Sequence, residues 1–374
     1  MSGALAVLTA LSAGLLGVAA PPAEAAGSDA ALLRRTWRGY RRHFVQADGR
    51  VIDWKGGGIS TSEGQAYAMI RAVWADDRDT FERARRWTRD NLQGGVPTAL
   101  PAWRWGQRPD QSWGVLDPQP ASDADQWMAW ALLLGAERWQ APALRVQAVG
   151  LLDQLWSREV MPLGDRLVLL PGPWAASTTP LRLNPSYFLP FAWRDFAKAD
   201  PTHPWVELID DAYAILNESG AQSTLVPDWL YLDPATGQRT AAPDPAHDLF
   251  GFEAARFAWT LAAEVAWYDE PRARALLSPI AQLSESFRIN GQLPAVSTPD
   301  GAAAVSYPHL STTGSVLAAW AWAKPDELAA LRKTIDQARR CAGWGERDDY
   351  FAQNWTWLGL ALVSGEALPP EMTR

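Results

Sequence analysis

Apolar residues recur at helical spacing in twelve stretches, near 30–46, 62–76, 79–93, 124–139, 142–158, 185–199, 204–218, 248–267, 270–288, 312–323, 325–341 and 350–364. Connections bearing Gly, Pro and Asp join them, and only those near 94–122, 160–184, 220–247 and 289–311 are long. Short strand-like runs, such as Arg166 to Leu170, fall inside these loops. Taken as sequential hairpins, the helices predict an all-α chain closed into an (α/α)6 barrel, because six hairpins in a ring bury one apolar stripe of each helix. An open solenoid would ordinarily carry a sequence repeat of fixed period, and none is visible. No polar, Pro/Ser-rich linker divides the chain, so a single domain over 27–374 is expected.

The stretch 1–26 has a different character. An apolar run from Ala4 to Ala20 leads to Pro21-Pro22-Ala23-Glu24-Ala25-Ala26, the small-residue pattern of a signal-peptidase site, although the usual basic residues ahead of it are missing. Export to the periplasm or the medium is therefore expected. No later run reaches about 18 uninterrupted apolar residues, so no membrane insertion is expected. Cys341 stands alone, which excludes an intrachain disulfide and argues against a cysteine-based metal site. A formal charge of −8 argues against nucleic acid as a partner, since phosphate backbones reward clustered Lys and Arg. The 22 tryptophans are several times the usual complement, and an indole belongs in a core or against a flat ligand such as a sugar ring.

Four stretches concentrate polar chemistry at helix starts. In Ser60-Thr61-Ser62-Glu63-Gly64-Gln65-Ala66-Tyr67, the spacing Ser60-x-x-Glu63 is that of a capping box. The small Gly64 and the polar Gln65 and Tyr67 equally suit a helix end facing a cleft. Ala121-Ser122-Asp123-Ala124-Asp125-Gln126-Trp127 opens a strongly apolar helix, where an acid is favoured by the helix dipole or is available to a ligand. Leu183-Asn184-Pro185-Ser186-Tyr187-Phe188 has Pro at a first helical position, with Tyr187 destined for a ligand or for the core. In His247-Asp248-Leu249-Phe250-Gly251-Phe252-Glu253-Ala254-Ala255-Arg256, Glu253 and Arg256 sit three apart, as in a helix-surface ion pair.

Each stretch begins a helix directly after a loop, and in an (α/α)6 barrel such ends gather at one mouth. Acids converging there, with Trp103, Trp105 and Trp113 in an intervening loop, are what two-carboxylate glycoside hydrolysis requires. One carboxyl must be protonated to serve the leaving oxygen, and the other must be ionised to activate water. The four histidines, His43, His203, His247 and His309, lack metal-ligand spacing, and no metal is expected in catalysis. Without a G-x-G-x-x-G or Walker-type loop no nucleotide cofactor is expected, and no G-x-S-x-G elbow suggests a serine hydrolase.

These motifs, in this order, resemble glycoside hydrolase family 8, and within it the endoglucanases that accompany bacterial cellulose synthesis. The resemblance is carried by Thr61 to Tyr67, by Asp76-Asp77-Arg78-Asp79 with Phe81, Trp87 and Asn91-Leu92, and by Ala121 to Asp125. Asn184-Pro185-Ser186-Tyr187-Phe188 continues it, as do Tyr350-Phe351-x-Gln353-Asn354 and Leu358-Gly359-Leu360. It implies an (α/α)6 barrel, inversion at the anomeric carbon and a β-1,4-glucan such as cellulose as substrate, with association with a cellulose synthase complex left open. Glu63 matches the general acid, one of Asp123 and Asp125 the residue touching the sugar ring, and Tyr187 a holder of substrate or water. Arg256, Trp105 and Trp113 complete the expected substrate-binding set. Many members read Gly-Tyr-Asp-Ala-x-Arg and use that Asp as base, whereas this chain reads Gly251-Phe252-Glu253-Ala254-Ala255-Arg256. The carboxylate moves outward by about 1.5 Å, one carbon–carbon bond, and misplacement of about an ångström can cost on the order of a hundredfold in rate. Glu253 is the candidate base, with Asp248 as the alternative. Besides an active glucanase, a glucan-binding protein of the same fold with weak or lost activity, and a xylanase or chitosanase, remain compatible with the chain.

Overall fold

A computed structural model describes residues 23–369. Of the expected leader over 1–26, residues 1–22 therefore lie outside the described residues. The helices run in chain order as α1 (Ala23–Phe44), α2 (Ser62–Trp74), α3 (Arg78–Asn91), α4 (Ser122–Arg138), α5 (Pro142–Glu159), α6 (Pro190–Ala199) and α7 (Trp205–Glu218). They continue as α8 (Phe252–Tyr268), α9 (Pro271–Leu277), α10 (Leu283–Asn290), α11 (Leu310–Ala323), α12 (Leu328–Gln337) and α13 (Tyr350–Val363).

Helix contacts close a double ring. α2, α4, α6, α8, α11 and α13 touch in succession, and α13 returns to α2. Each is backed by an outer helix: α3, α5, α7, α9 and α12 follow their inner partners, while α1 covers α13. This is the expected (α/α)6 barrel. Composition sorts the two rings. α4 is buried at every position from Ser122 to Ala136, whereas α3, RDTFERARRWTRDN, buries only Thr80, Phe81, Ala84, Trp87 and Thr88. A helix apolar all round belongs inside, and one with a single apolar stripe belongs on the rim.

The barrel axis is filled by tryptophan. Trp127, Trp130, Trp259 and Trp355 interlock with Phe191 and Tyr67, with centroid separations from 5.0 Å (Trp130–Phe191) to 6.5 Å (Trp127–Trp355). Much of the tryptophan excess is therefore core. Inner helices elsewhere approach to backbone contact: a Cβ on Gly359 of α13 would lie 1.9 Å from the Gly314 carbonyl oxygen of α11, so only glycine fits.

The structure corrects the helix count. The stretch expected as one helix over 270–288 is divided into α9, a 3-10 turn at Ser278–Gln282 and α10. Pro279 explains the break, because it offers no N–H and its ring collides with the carbonyl four residues back. Pro190 does the same to the stretch expected from 185: Pro185–Tyr187 is a 3-10 turn, and α6 starts afresh at Pro190. Three small antiparallel sheets occupy the long loops. They are β1 (Ser60–Thr61), β2 (Arg104–Gln107) and β3 (Trp113–Asp117); β4 (Val160–Leu163) and β5 (Arg166–Leu169); and β6 (Leu181–Leu183), β7 (Leu230–Leu232) and β8 (Arg239–Thr240). β1 runs directly into α2, and β6 ends just before the 3-10 turn, so both sheets flank the starts of inner helices.

Candidate active site

The start of α2 decides between a cap and a cleft. Thr61, not Ser60, caps the helix, accepting from Gly64 N at 3.0 Å. Ser60 Oγ instead donates to the Val51 carbonyl (2.6 Å) and accepts from Arg50 Nε (2.8 Å). Glu63 is thereby released from the capping-box role its spacing suggests. α4 likewise has no side-chain cap, and Ser122 Oγ donates to the Leu170 carbonyl, leaving Asp123 to face inward.

All of these groups meet at Arg256, one turn into α8 and only 3% exposed. Its Nη1 donates to Glu63 Oε2 (2.9 Å), Asp123 Oδ2 (2.8 Å) and Tyr67 OH (3.3 Å). Its Nη2 donates to Ser186 Oγ (3.2 Å) and to Glu253 Oε2. One guanidinium therefore bridges the carboxylates of three inner helices. Burial alone would weaken its charge, but Glu253, Tyr67, Asp123 and Glu63 outweigh that and hold the proton more firmly than usual.

Three carboxylates around one cation leave an excess of negative charge in a largely buried place, which some carboxyl must relieve by keeping a proton. Glu63 is pushed up to about 7, first by burial and then by Asp123 and Glu253, against the pull of Arg256 and a hydrogen bond from Tyr350. That bond, Tyr350 OH to Glu63 Oε1 at 2.6 Å, comes from the first residue of α13. Asp123 is also raised, by burial first, with Arg256 opposing. Glu253 accepts from Asn184 Nδ2 (2.8 Å) as well as from Arg256, both at Oε2, so Oε1 takes no hydrogen bond from the described residues.

Tyr187 places its ring 5.3 Å from the Arg256 guanidinium carbon, at the edge of this cluster. Trp105 and Trp113 stack at 5.2 Å and 27°, with Arg50 over both rings, and Trp113 is 50% exposed. Pairing of Ser60 with Trp105 ties this platform to the strand that leads into Glu63.

Two expected residues stand apart. Asp125 is fully buried and faces Glu159 at the end of α5, with no donor on either carboxyl among the described residues; it does not join the cluster around Arg256. The helix turn explains this, since residues two apart point away from each other. Burial and mutual repulsion hold Asp125 well above the usual carboxylate range, and burial does the same for Glu159, so both carboxyl groups hold a proton more firmly than they would in water. Asp248, the alternative base, is a partly exposed partner of Arg239 and has no bond to the cluster.

Sequence reasoning missed Asp228. It lies in the long loop before α8, and its Oδ1 accepts from Gly251 N (2.9 Å) and Ala254 N (2.8 Å), capping the helix that carries Glu253 and Arg256. A Cβ on Gly251 would come within 2.4 Å of Asp228 Oδ2, which is why glycine stands there. Burial, with Glu253 nearby, raises Asp228 to about 6. The signal was present as Pro227-Asp228-Trp229, an acid beside an aromatic in a long loop. A second aromatic group was also missed: Arg182 lies 3.6 Å from the ring centre of Trp229 and 5.7 Å from that of the partly exposed Trp174, and Trp229 neighbours Tyr187 at 6.4 Å.

Acids gathered on one arginine at the starts of inner helices of an (α/α)6 barrel, with aromatic side chains nearby, are the arrangement expected of a glycoside hydrolase. Residues 15–364 match the family described as glycosyl hydrolases family 8, and the chain belongs to it. It is similar to an endoglucanase of Pseudomonas fluorescens (strain SBW25), 36% identical over 59% of this chain and 57% of the relative. An endoglucanase of Escherichia coli (strain K12) is 35% identical over 55% of this chain and 56% of its own length. The matched region thus spans little more than half the length of these curated relatives. Among solved structures, an endo-1,4-D-glucanase from Vibrio fischeri ES114 superposes with a TM-score of 0.78 at 26% identity, covering 87% of this chain and 93% of that one.

Proposed function

We propose that the chain is an inverting endo-1,4-β-glucanase, with Glu63 as general acid and Glu253 as general base. The observation that carries this reading is Arg256 gripping Glu63, Asp123 and Glu253 together while Glu63 is raised to about 7. A carboxyl near neutrality is suited to protonating a leaving oxygen at ordinary pH. In the step, the Glu63 proton passes to the glycosidic oxygen as the bond from the anomeric carbon to that oxygen breaks. Water adds to the opposite face of that carbon and gives its proton to Glu253, whose Oε1 has no competing donor among the described residues. Arg256 holds both carboxyl groups in place and offsets the charge that accumulates as Glu63 ionises. Asp123 and Tyr187 would contact the ring at the cleavage point. Trp105 and Trp113 on one side, and Trp174 and Trp229 on the other, offer flat apolar faces on which glucose units stack.

Relatives named as endoglucanases support glucan over other polymers. Export rests on the apolar leader, and a role beside cellulose synthesis rests on resemblance. The test is hydrolysis of soluble carboxymethylcellulose, xylan and chitosan by the parent chain and by Glu63→Gln, with the anomeric form of the first product followed by NMR. We expect glucan to be cut to the α-anomer and Glu63→Gln to lose about two to four orders of magnitude in rate. A first product in the β-form would overturn inversion, preference for xylan or chitosan would overturn the substrate, and glucan binding without any product would leave a binding protein.

A further inference from the structure

His309 lies outside every motif that suggested function, yet it touches both arms of the site. It caps α11: Ser311 N–H donates to its Nδ1 at 3.3 Å, with Ser311 Oγ 2.7 Å from the same atom. A backbone N–H only donates, so Nδ1 accepts from Ser311, which assigns the ring proton to Nε2. That nitrogen faces Asp349 Oδ2 at 3.0 Å. Asp349 in turn caps α13, accepting from Ala352 N at 2.8 Å, and takes Lys55 Nζ at 3.0 Å; Lys55 is also held by Glu346 at 2.7 Å. Burial would raise Asp349, but His309, Ala352 and Lys55 bring it down to about 2, so it stays an anion.

The next residue is Tyr350, whose hydroxyl holds Glu63. On its other side the His309 ring packs edge-to-face on Phe252, at 4.9 Å and 82°, and the next residue there is Glu253. One imidazole thus adjoins the residue preceding the partner of the acid and the residue preceding the base. We propose that His309 is a positioning residue that sets the Tyr350–Glu63 hydrogen bond and the placement of Glu253 together. This rests on the assignment of Glu63 and Glu253 as acid and base.

Two substitutions in the full chain separate its two contacts. In His309→Asn, the short amide retains the cap on α11 but does not reach Asp349; in His309→Gln, the longer amide offers Asp349 an N–H. Asn should leave the melting temperature near that of the parent, lower kcat about tenfold with KM held, and move the alkaline limb of the pH profile upward by up to about one unit as Tyr350 loosens from Glu63. Gln should restore most of the rate and the limb. The Glu63 titration, read directly by carboxyl carbon NMR, should move with the limb, and it reports the link even in a chain that cuts nothing. An Asn variant with the parent titration of Glu63, or a Gln variant as impaired as Asn, would overturn the proposal. An inactive parent in which Glu63 still shifts would fault the hydrolase reading alone.

Discussion

Replacing Tyr350 with Phe removes one atom and isolates the force that tunes Glu63. The phenol donates to Glu63 Oε1 at 2.6 Å and lowers its pKa against burial, so its loss must push Glu63 further up from about 7. A hydrogen bond to a charged group is worth about 1.5–3 kcal/mol, and one pKa unit corresponds to about 1.36 kcal/mol. Because the phenol also bonds the neutral acid, though more weakly, the lower part of that range applies and the shift is about one unit. The profile of kcat/KM against pH reports the free enzyme's acid and base. For an enzyme whose acid is Glu63, activity declines as pH rises through about 7, and in Tyr350→Phe the decline should fall near roughly pH 8. The assay is reducing-end release from carboxymethylcellulose, in buffers from about pH 5 to about pH 10 so that both limbs are sampled. An alkaline limb that stays with the parent, or moves to lower pH, would refute the assignment of that limb to Glu63 or the role of Tyr350 in setting it.

Two further predictions concern stability. Asp125 and Glu159 are raised in the fold above their unfolded values, so the pair favours the fold at low pH and loses that contribution as pH rises through the folded values. Asp125→Asn, which retains a donor toward Glu159, should therefore melt above the parent at about pH 9 and lose that advantage near about pH 4; thermal scans at the two conditions check it, and a variant less stable than the parent in alkali would contradict the pairing. Asp228→Ala should cost about 1 kcal/mol through the lost cap of α8 and reduce kcat by loosening Glu253, while Asp228→Asn should keep most of both; denaturant unfolding and initial rates distinguish the two.

The sequence was most informative where a local rule had no tertiary competitor. The closed ring was legible because helical stretches follow one another as hairpins without a repeat of fixed period, and the strongly apolar stretch after Asp125 is an inner helix buried through Ala136. Helix ends were less legible. Pro190 and Pro279 each break what periodicity alone joins, and a helical period survives a 3-10 turn almost unchanged. At the site, the chain placed Glu63, Asp123, Glu253 and Arg256 at helix starts but did not say which side chains leave their local caps. Ser60 abandons the capping box for Arg50 and the Val51 carbonyl, and Asp125 turns away to Glu159, because partners distant in sequence offer more than neighbours do. Asp228 left only the faint signal of an acid beside Trp229, and His309 left none, since their bonds to Gly251 and Ala254 and to Asp349 join positions distant in sequence.

Tyr350 belongs to the last inner helix and Glu63 to the first, so their bond forms only when α13 settles against α2 and α1. Glu63 has this hydrogen-bond partner only in the closed ring. A chain cut before α13 lacks that partner and also Trp355, which packs on Tyr67 and Trp127 in the core. The tuning of Glu63 is accordingly a property of the closed ring and not of α2 alone.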